Sequence, residues 1–286
     1  MSGLCKVKNA MTVDVEDYYH VSAFSNKVKF MDWNKYESRV VFNTNNILEL
    51  FDKYNIKSTF FILGWVAEKY PHLVRKIAGA GHEVASHGYS HQLIYKQGKN
   101  IFKEETLRSK AILENESQTE VLGYRAASYS ITSESLWALD ILIDAGFKYD
   151  SSIFPIYHDR YGIPNAKIFP HRLQTINNKE ITEFPLTTQK FMGLKLPAAG
   201  GGYFRIYPYF FSKYLLRKRC SKNNTPFIFY FHPWEVDPEQ PRIKAGIISR
   251  FRHYNNLRKC KDRIEMLLTD FKFTTACDVL KYLELL

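Results

Sequence analysis

KSTFFILGWVAEKYPHLVRKIAGAGHEVASH, residues 57–87, decides the fold. Residues 57–64 are a continuous apolar run closed by a glycine, the pattern of a strand buried on both faces. Residues 65–81 carry apolar side chains at helical spacing, and 82–87 return to a strand. A strand, a helix and a second strand in so short a stretch form a unit whose two strands run parallel.

The same order repeats on either side. NAMTVDV (9–15) reads as a strand, and NTNNILELFDKYN (43–55) as a helix with Asn or Thr at its N-cap. Residues 102–115 are helical, 121–128 a strand entering a loop, and 133–146 a helix capped by Thr132 or Ser133, with Glu134 placing negative charge in its first turn. KYDSSI (148–153) is another strand, 226–235 contains the most apolar strand of all, and helices around 254–269 and 275–285 close the chain. This alternation predicts a parallel sheet covered by helices, whose chemistry sits at the carboxyl ends of its strands. The reactive side chains stand there: Asp14, Glu16 and Asp17 end the first strand, His87 and His91 follow 82–86, Arg125 follows 121–124, Asp150 follows 147–149, and His232 follows 227–231.

The length of 286 residues fits one large domain or two small ones, and 45% apolar residues supply a sizeable core. No apolar run approaches the roughly 18 residues of a membrane span, and the N-terminus lacks an apolar core and cleavage site of the signal-peptide kind. The expected location is the cytoplasm. Cys5, Cys220, Cys260 and Cys277 are scattered, which fits free thiols in a reducing compartment. The net charge of +11 favours anionic contacts such as acidic glycan, phospholipid headgroups or pyrophosphate, or simply a solvated basic surface. Much of the excess lies in 213–224 and 242–263, and no nucleic-acid motif accompanies it.

TVDVED packs three acids into four residues, an arrangement that calls for a cation or an arginine. Strand alternation puts Asp14 and Glu16 on one face, and Asp17 can swing round if the strand ends at Val15. HGYSH (87–91) offers two imidazoles four residues apart, either metal ligands or polar surface. Two histidines and a carboxylate would leave positions open for water and substrate, as catalytic metal sites do. His82 reads as a packing residue. His232 is placed to protonate a departing nitrogen, and Arg125 to pair with one acid of the first cluster. Three glycines in PAAGGGYFRIYP (197–208) allow close backbone approach or positive φ. Tyr203, Phe204, Tyr207 and Tyr209 then form a sugar-stacking wall, with Trp234 as a further candidate.

In this order these residues resemble the polysaccharide deacetylase family with the NodB homology domain, carbohydrate esterase family 4. Its T-F-D-D motif reads TVDVED here; its H-[ST]-x-x-H reads HGYSH, with Gly88 in the Ser/Thr place. Its R-x-P-[YF] reads RAAS, with Ala127 for the proline and Ser128 for the aromatic, and its apolar strand ending in histidine reads FIFYFHPWE. The resemblance covers roughly residues 8–240, leaving 241–286 as a basic helical extension of a single domain. DVEDYYHVSAF, GYRAASYSIT, YDSSIFP and GGGYFRIYP look like the subgroup found in exopolysaccharide gene clusters, grouped with cyclic-amide hydrolases.

The resemblance implies an α/β fold, a distorted (β/α) barrel of about seven parallel strands. It implies Asp14 as general base, Arg125 as its orienting partner, His232 as general acid, and His87 and His91 as metal ligands. The third ligand is Asp17 or Glu16, with the adjacent-acid pattern favouring Asp17. Ser128 would supply an oxyanion donor through its backbone N–H, and Ser128, Tyr129, Tyr203 and Trp234 would contact substrate. Asp150, with Glu183 as rival, would tune the catalytic histidine. The metal expected is Zn2+, with Co, Ni, Fe or Mn able to serve. The activity implied is removal of N-acetyl groups from an N-acetylhexosamine glycan or its precursor. The signal-free N-terminus points to a lipid-linked or nucleotide-linked intermediate, and the basic C-terminal third to peripheral contact with an anionic membrane. Hydrolysis of another linear or cyclic amide, or non-catalytic glycan binding, are the alternatives.

Overall fold

In the computed structural model, which describes residues 7–158, 160–221 and 225–286, the 57–87 unit is present with one break. The chain runs β1 (Asn9–Val15), α1 (Val40–Lys53), β2 (Thr59–Ile62), α2 (Gly64–Lys69), α3 (Pro71–Gly79), β3 (Glu83–Ser86), α4 (Lys99–Ser117), β4 (Gly123–Tyr124), α5 (Trp137–Asp144) and β5 (Tyr149–Asp150). There follow β6 (His171–Gln174), β7 (Glu180–Glu183), β8 (Thr188–Phe191), β9 (Leu194–Pro197), α6 (Gly201–Ile206), α7 (Tyr209–Ser221), β10 (Ile228–Phe231), α8 (Ile247–Tyr254), α9 (Leu257–Asp270), β11 (Phe273–Thr274) and α10 (Ala276–Tyr282). The helix expected over 65–81 is two, because Pro71 has no N–H to continue α2 but suits the first position of α3.

Seven strands pair in parallel in the order β10-β1-β2-β3-β4-β5-β7, and β6 adds an antiparallel edge beside β7. The sheet is curled but does not close. Between β7 and β10 the gap is bridged by single residues: the Thr187 hydroxyl donates to the Ile228 carbonyl at 2.7 Å, and the Tyr230 N–H donates to Ala199 O at 2.7 Å. The glycine run makes this possible. At Gly200, φ is +126°, and a Cβ there would lie 1.9 Å from the Tyr230 carbonyl oxygen. The result is an incomplete barrel.

Residues 241–286 are knitted into this body. β11 pairs with the first two residues of β1, and α9 packs on the turn Pro233–Val236. Cys260 and Cys277 are free thiols, and Cys5 lies outside the described residues. Among the described residues no helix is long and apolar enough to cross a membrane.

Register explains why the polar residues converge. Val15 pairs with Ile62, Ile62 with Ser86, Ser86 with Tyr124, and Tyr124 with Asp150. On the other side of β1, Val13 pairs with Phe231. The residues that follow this row, Glu16, His87, Arg125 and His232, therefore leave the sheet at one edge.

Candidate metal centre and active site

Ligand atoms of Glu16, His87 and His91 lie within 4.8 Å of one another. His87 is fixed by its ring: Nδ1–H donates to the Arg125 carbonyl at 2.9 Å, which leaves Nε2 as the ligand atom. His91 Nε2 sits 2.8 Å from Glu16 Oε2 but out of line for a hydrogen bond, so Glu16 Oε2 is a buried oxygen without a hydrogen-bond partner. A buried carboxylate oxygen without a hydrogen-bond partner, on an imidazole–imidazole–carboxylate set whose ligand atoms lie this close, fits a divalent cation. Burial alone would raise the Glu16 carboxyl, but the facing His91 and His232 hold it well below the usual carboxylate range.

Asp17 is not part of this set. Its carboxylate turns back and caps the start of α1, accepting from Ser38 Oγ at 2.8 Å, from the Arg39 N–H at 2.8 Å and from the Val40 N–H at 3.1 Å. Its other oxygen accepts from the Tyr18 N–H. The alternation of β1 places Asp14 and Glu16 on one side, and Asp17 lies past the strand's end.

Asp14 is gripped by Arg125, whose Nη1 donates to Asp14 Oδ1 at 2.6 Å and to Thr12 Oγ1 at 2.8 Å. Both charges are buried, and the guanidinium lies over the Phe61 ring with its carbon 4.0 Å from the centroid. Asp14 Oδ2 accepts from Tyr129 Oη at 3.4 Å and lies 4.0 Å from His232 Nε2. His232 Nε2 is also 3.4 Å from Glu16 Oε1.

The partner of His232 is Glu235, not Asp150. His232 Nδ1–H donates to Glu235 Oε1 at 2.7 Å, and Arg205 Nε donates to Glu235 Oε2 at 2.5 Å. Arg205, also fully buried, donates in turn to the carbonyls of Arg252, His253 and Asn255 beyond the active site. Burial would lower the His232 imidazole, but Glu16, Glu235 and Asp14 around it raise it to about 9. Asp150 lies lower in the barrel, bonded to Ser152 and beside Glu183, with its value pushed up to about 6 by burial. Glu183, the rival, shares that pair and accepts from the Ile153 N–H at 3.1 Å.

Trp234 is not a sugar platform. It is buried between the rings of His232 and His253, and its indole N–H donates to Glu16 Oε1 at 3.2 Å. It orients the carboxylate. Tyr203 does line the cavity, whereas Phe204 is core and Tyr209 Oη donates to Asp270. Tyr161 and Tyr230, which no sequence pattern singled out, complete the aromatic lining. The cavity has a volume of about 420 Å³, with Asp14, Glu16, His87, His91 and His232 in its wall and Arg160 and Arg252 beside them.

Ser128 and Tyr129 also line it, both with left-handed backbone, φ 51° and 55°. The Tyr129 N–H is used by the Ala126 carbonyl at 3.0 Å. Gly88, in the Ser/Thr place of the motif, has φ +74°, a conformation that disfavours any side chain. Glu235 and Arg205 were missed by sequence reading. H-x-x-E directly after an apolar strand was the available signal for the first; nothing local marks the second.

Residues 34–149 match the family model described as polysaccharide deacetylase, and 151–281 match one described as a domain of unknown function, DUF3473. Over residues 34–149 the chain is similar to the polysaccharide deacetylase family. The family match holds His87, His91 and Arg125, while Asp14 and Glu16 lie before it and join the site through β1. Over 88 residues the chain is 34% identical to a peptidoglycan-N-acetylglucosamine deacetylase of Bacillus cereus, covering 28% of this chain and 32% of that protein. It is 32% identical over 133 residues to a peptidoglycan deacetylase of Helicobacter pylori, covering 43% and 42%. The chain thus spans less than half the length of either relative. A solved Mycobacterium smegmatis protein assigned to the polysaccharide deacetylases shares the fold with a TM-score of 0.62 at 19% identity, covering 96% of this chain and 89% of that one. The allantoinase Puue shares it with a TM-score of 0.61 at 14% identity, covering 96% and 88%.

Proposed function

We propose that this protein is a metal-dependent hydrolase of the polysaccharide deacetylase type that removes N-acetyl groups from an N-acetylhexosamine glycan or glycan precursor. The observation that carries this reading is the meeting of Glu16, His87 and His91 within 4.8 Å in the wall of a cavity that also holds Asp14 and His232. Glu16, His87 and His91 would hold a divalent ion, zinc by donor type with Co, Ni, Fe or Mn as substitutes. Such an ion supplies Lewis acidity toward a carbonyl oxygen and lowers the pKa of a water molecule.

The chain's own groups do the proton work. Asp14, hydrogen-bonded by Arg125, accepts the proton of the attacking water. His232, with Nδ1–H committed to Glu235, presents Nε2 to the departing nitrogen and protonates it. The Ser128 N–H is the oxyanion donor, since the Tyr129 N–H is already engaged. Tyr129, Tyr161, Tyr203 and Tyr230 offer faces and edges to a pyranose ring. A cavity of about 420 Å³ is within the usual range for sugar-sized ligands. Arg160 and Arg252 suit a substrate carrying phosphate or carboxylate, as a lipid-linked or nucleotide-linked intermediate of exopolysaccharide synthesis does. Peripheral contact of the basic chain with an anionic membrane belongs to the same reading.

The test is acetate release from N-acetylglucosamine oligomers by metal-loaded and chelator-treated protein. Acetate with metal and none after chelation is the expected result. No acetate with any of the five metals over a panel of acetylated glycans overturns the proposal. Asp14→Asn is expected to keep its metal by elemental analysis and lose turnover, whereas His91→Ala loses both.

A further inference from the structure

Helix α8 turns its apolar side outward. Ile247, Ile248 and Phe251 are 85%, 69% and 58% exposed, while His253 on the inner side is buried against Trp234 and hydrogen-bonded to Gln240 at 2.8 Å. A helix packed on its own domain faces its apolar stripe inward. Three large apolar side chains within five positions form a patch rather than scattered exposure.

The charges along the segment that carries this patch have one sign. PRIKAGIISRFRHYNNLRKCK (241–261) contains Arg242, Lys244, Arg250, Arg252, Arg258, Lys259 and Lys261 and no aspartate or glutamate. The segment before α8 is folded back on the helix. The Ile243 N–H donates to Tyr254 Oη at 2.8 Å, and the Arg242 guanidinium lies over the Tyr254 ring at 4.2 Å. Between them runs a shallow groove of about 400 Å³, with Ile247, Phe251 and Tyr254 as apolar lining and Arg242 and Arg250 as its cations. The helix also borders the reaction cavity: Arg252 lines that cavity, and α8 packs on Ser22–Phe24, of which Ser22 and Ala23 line it too.

We infer that α8 and the folded segment before it are a docking surface for a bilayer rich in anionic phospholipid. Aliphatic and aromatic tips enter the headgroup boundary, and the arginines meet the lipid phosphates. Nucleic acid would call for stacking rings where this helix carries isoleucines. Docked in this way, the cavity opens beside the membrane surface and takes a glycan carried there on a lipid. The docking itself does not rest on the deacetylase reading, because it is measured without turnover.

The experiment is co-sedimentation of the full chain with vesicles of phosphatidylcholine alone and of phosphatidylcholine with phosphatidylglycerol, at low and high salt, beside sedimentation velocity without vesicles. Binding at least tenfold tighter to the anionic vesicles, weakened by salt, is expected. Ile247→Ser/Ile248→Ser/Phe251→Ser and, separately, Arg242→Gln/Arg250→Gln are expected to lose at least tenfold of it while keeping the parent's melting temperature and its rate on a soluble oligomer. Equal binding to both vesicles overturns the inference, as does full binding by the triple variant. A dimer in solution that the triple variant dissociates also overturns it, since the patch is then an interface between two copies. Loss of acetate release with vesicle binding intact counts against the deacetylase reading alone.

Discussion

Glu235 decides what His232 can do. A histidine that must hand over a proton from Nε2 needs its Nδ1–H held, and the Glu235 carboxylate holds it at 2.7 Å while Arg205 holds the carboxylate. Glu235→Gln keeps the shape and loses the charge. Its kcat is expected to fall about 10- to 100-fold with little change in KM. It also leaves Arg205 buried without its counter-charge, so the urea-unfolding free energy should drop by about 3–5 kcal/mol. An unchanged kcat in steady-state kinetics would remove Glu235 from the mechanism. At this scale the sequence was readable where a reactive residue follows its own strand, as Asp14, His87, Arg125 and His232 do. It was unreadable where function comes from a pair formed in space, as with Glu235 and Arg205, which stand thirty positions apart. Asp17 shows a third situation: the alternation of β1 favoured Glu16, and the family's adjacent-acid pattern drew the reading away from it.

At the scale of elements, Asp17 and Glu16 separate a cap from a ligand. Asp17 accepts from two backbone N–H groups at the start of α1 and from Ser38, so Asp17→Ala removes a helix cap. It should cost about 1–2 kcal/mol in stability and leave metal content unchanged. Glu16→Ala should lose the metal; elemental analysis of the two variants side by side checks both outcomes. The strands with continuous apolar runs, β1, β2 and β10, were evident in the sequence because burial on both faces leaves no other pattern. β6, β8 and β9 were not, because their side chains are largely half-buried or exposed and their apolar signal is weak; β7 is mostly buried, but its sequence EITE has no apolar run. The bridge beside β10 was hidden too, apart from its glycines. Gly200→Ala puts a methyl 1.9 Å from the Tyr230 carbonyl oxygen, so that edge must move. Insoluble expression, or a melting temperature lowered by many degrees, is the expected result, and a parent-like melting curve would show that the edge yields freely.

For the molecule as a whole, the buried acids beneath the site set a dependence on pH. Asp150 and Glu183 sit side by side on β5 and β7, both fully buried. Burial pushes Asp150 up to about 6, and burial with the neighbouring carboxyl pushes Glu183 well above its usual value. Two carboxyls so close hold one proton between them through neutral pH. A carboxyl raised on folding stabilises the fold fully below its unfolded value, near 3.8 for Asp150, and loses that contribution as pH rises through the folded value, about 6. His82 works in the opposite direction. Burial and then Lys57 lower it to about 4, so its contribution is full above its ordinary value of 6.5 and fades as pH falls toward 4. Glu183→Gln keeps an amide donor for Asp150 and removes the second titrating group, while His82 is the same in both proteins and cancels in the difference. The denaturant midpoints of parent and variant are therefore expected to lie close together at pH 5 and to separate in the variant's favour by pH 8. A separation that stays constant between those pH values would mean that the pair carries no shared proton and that its role is packing alone.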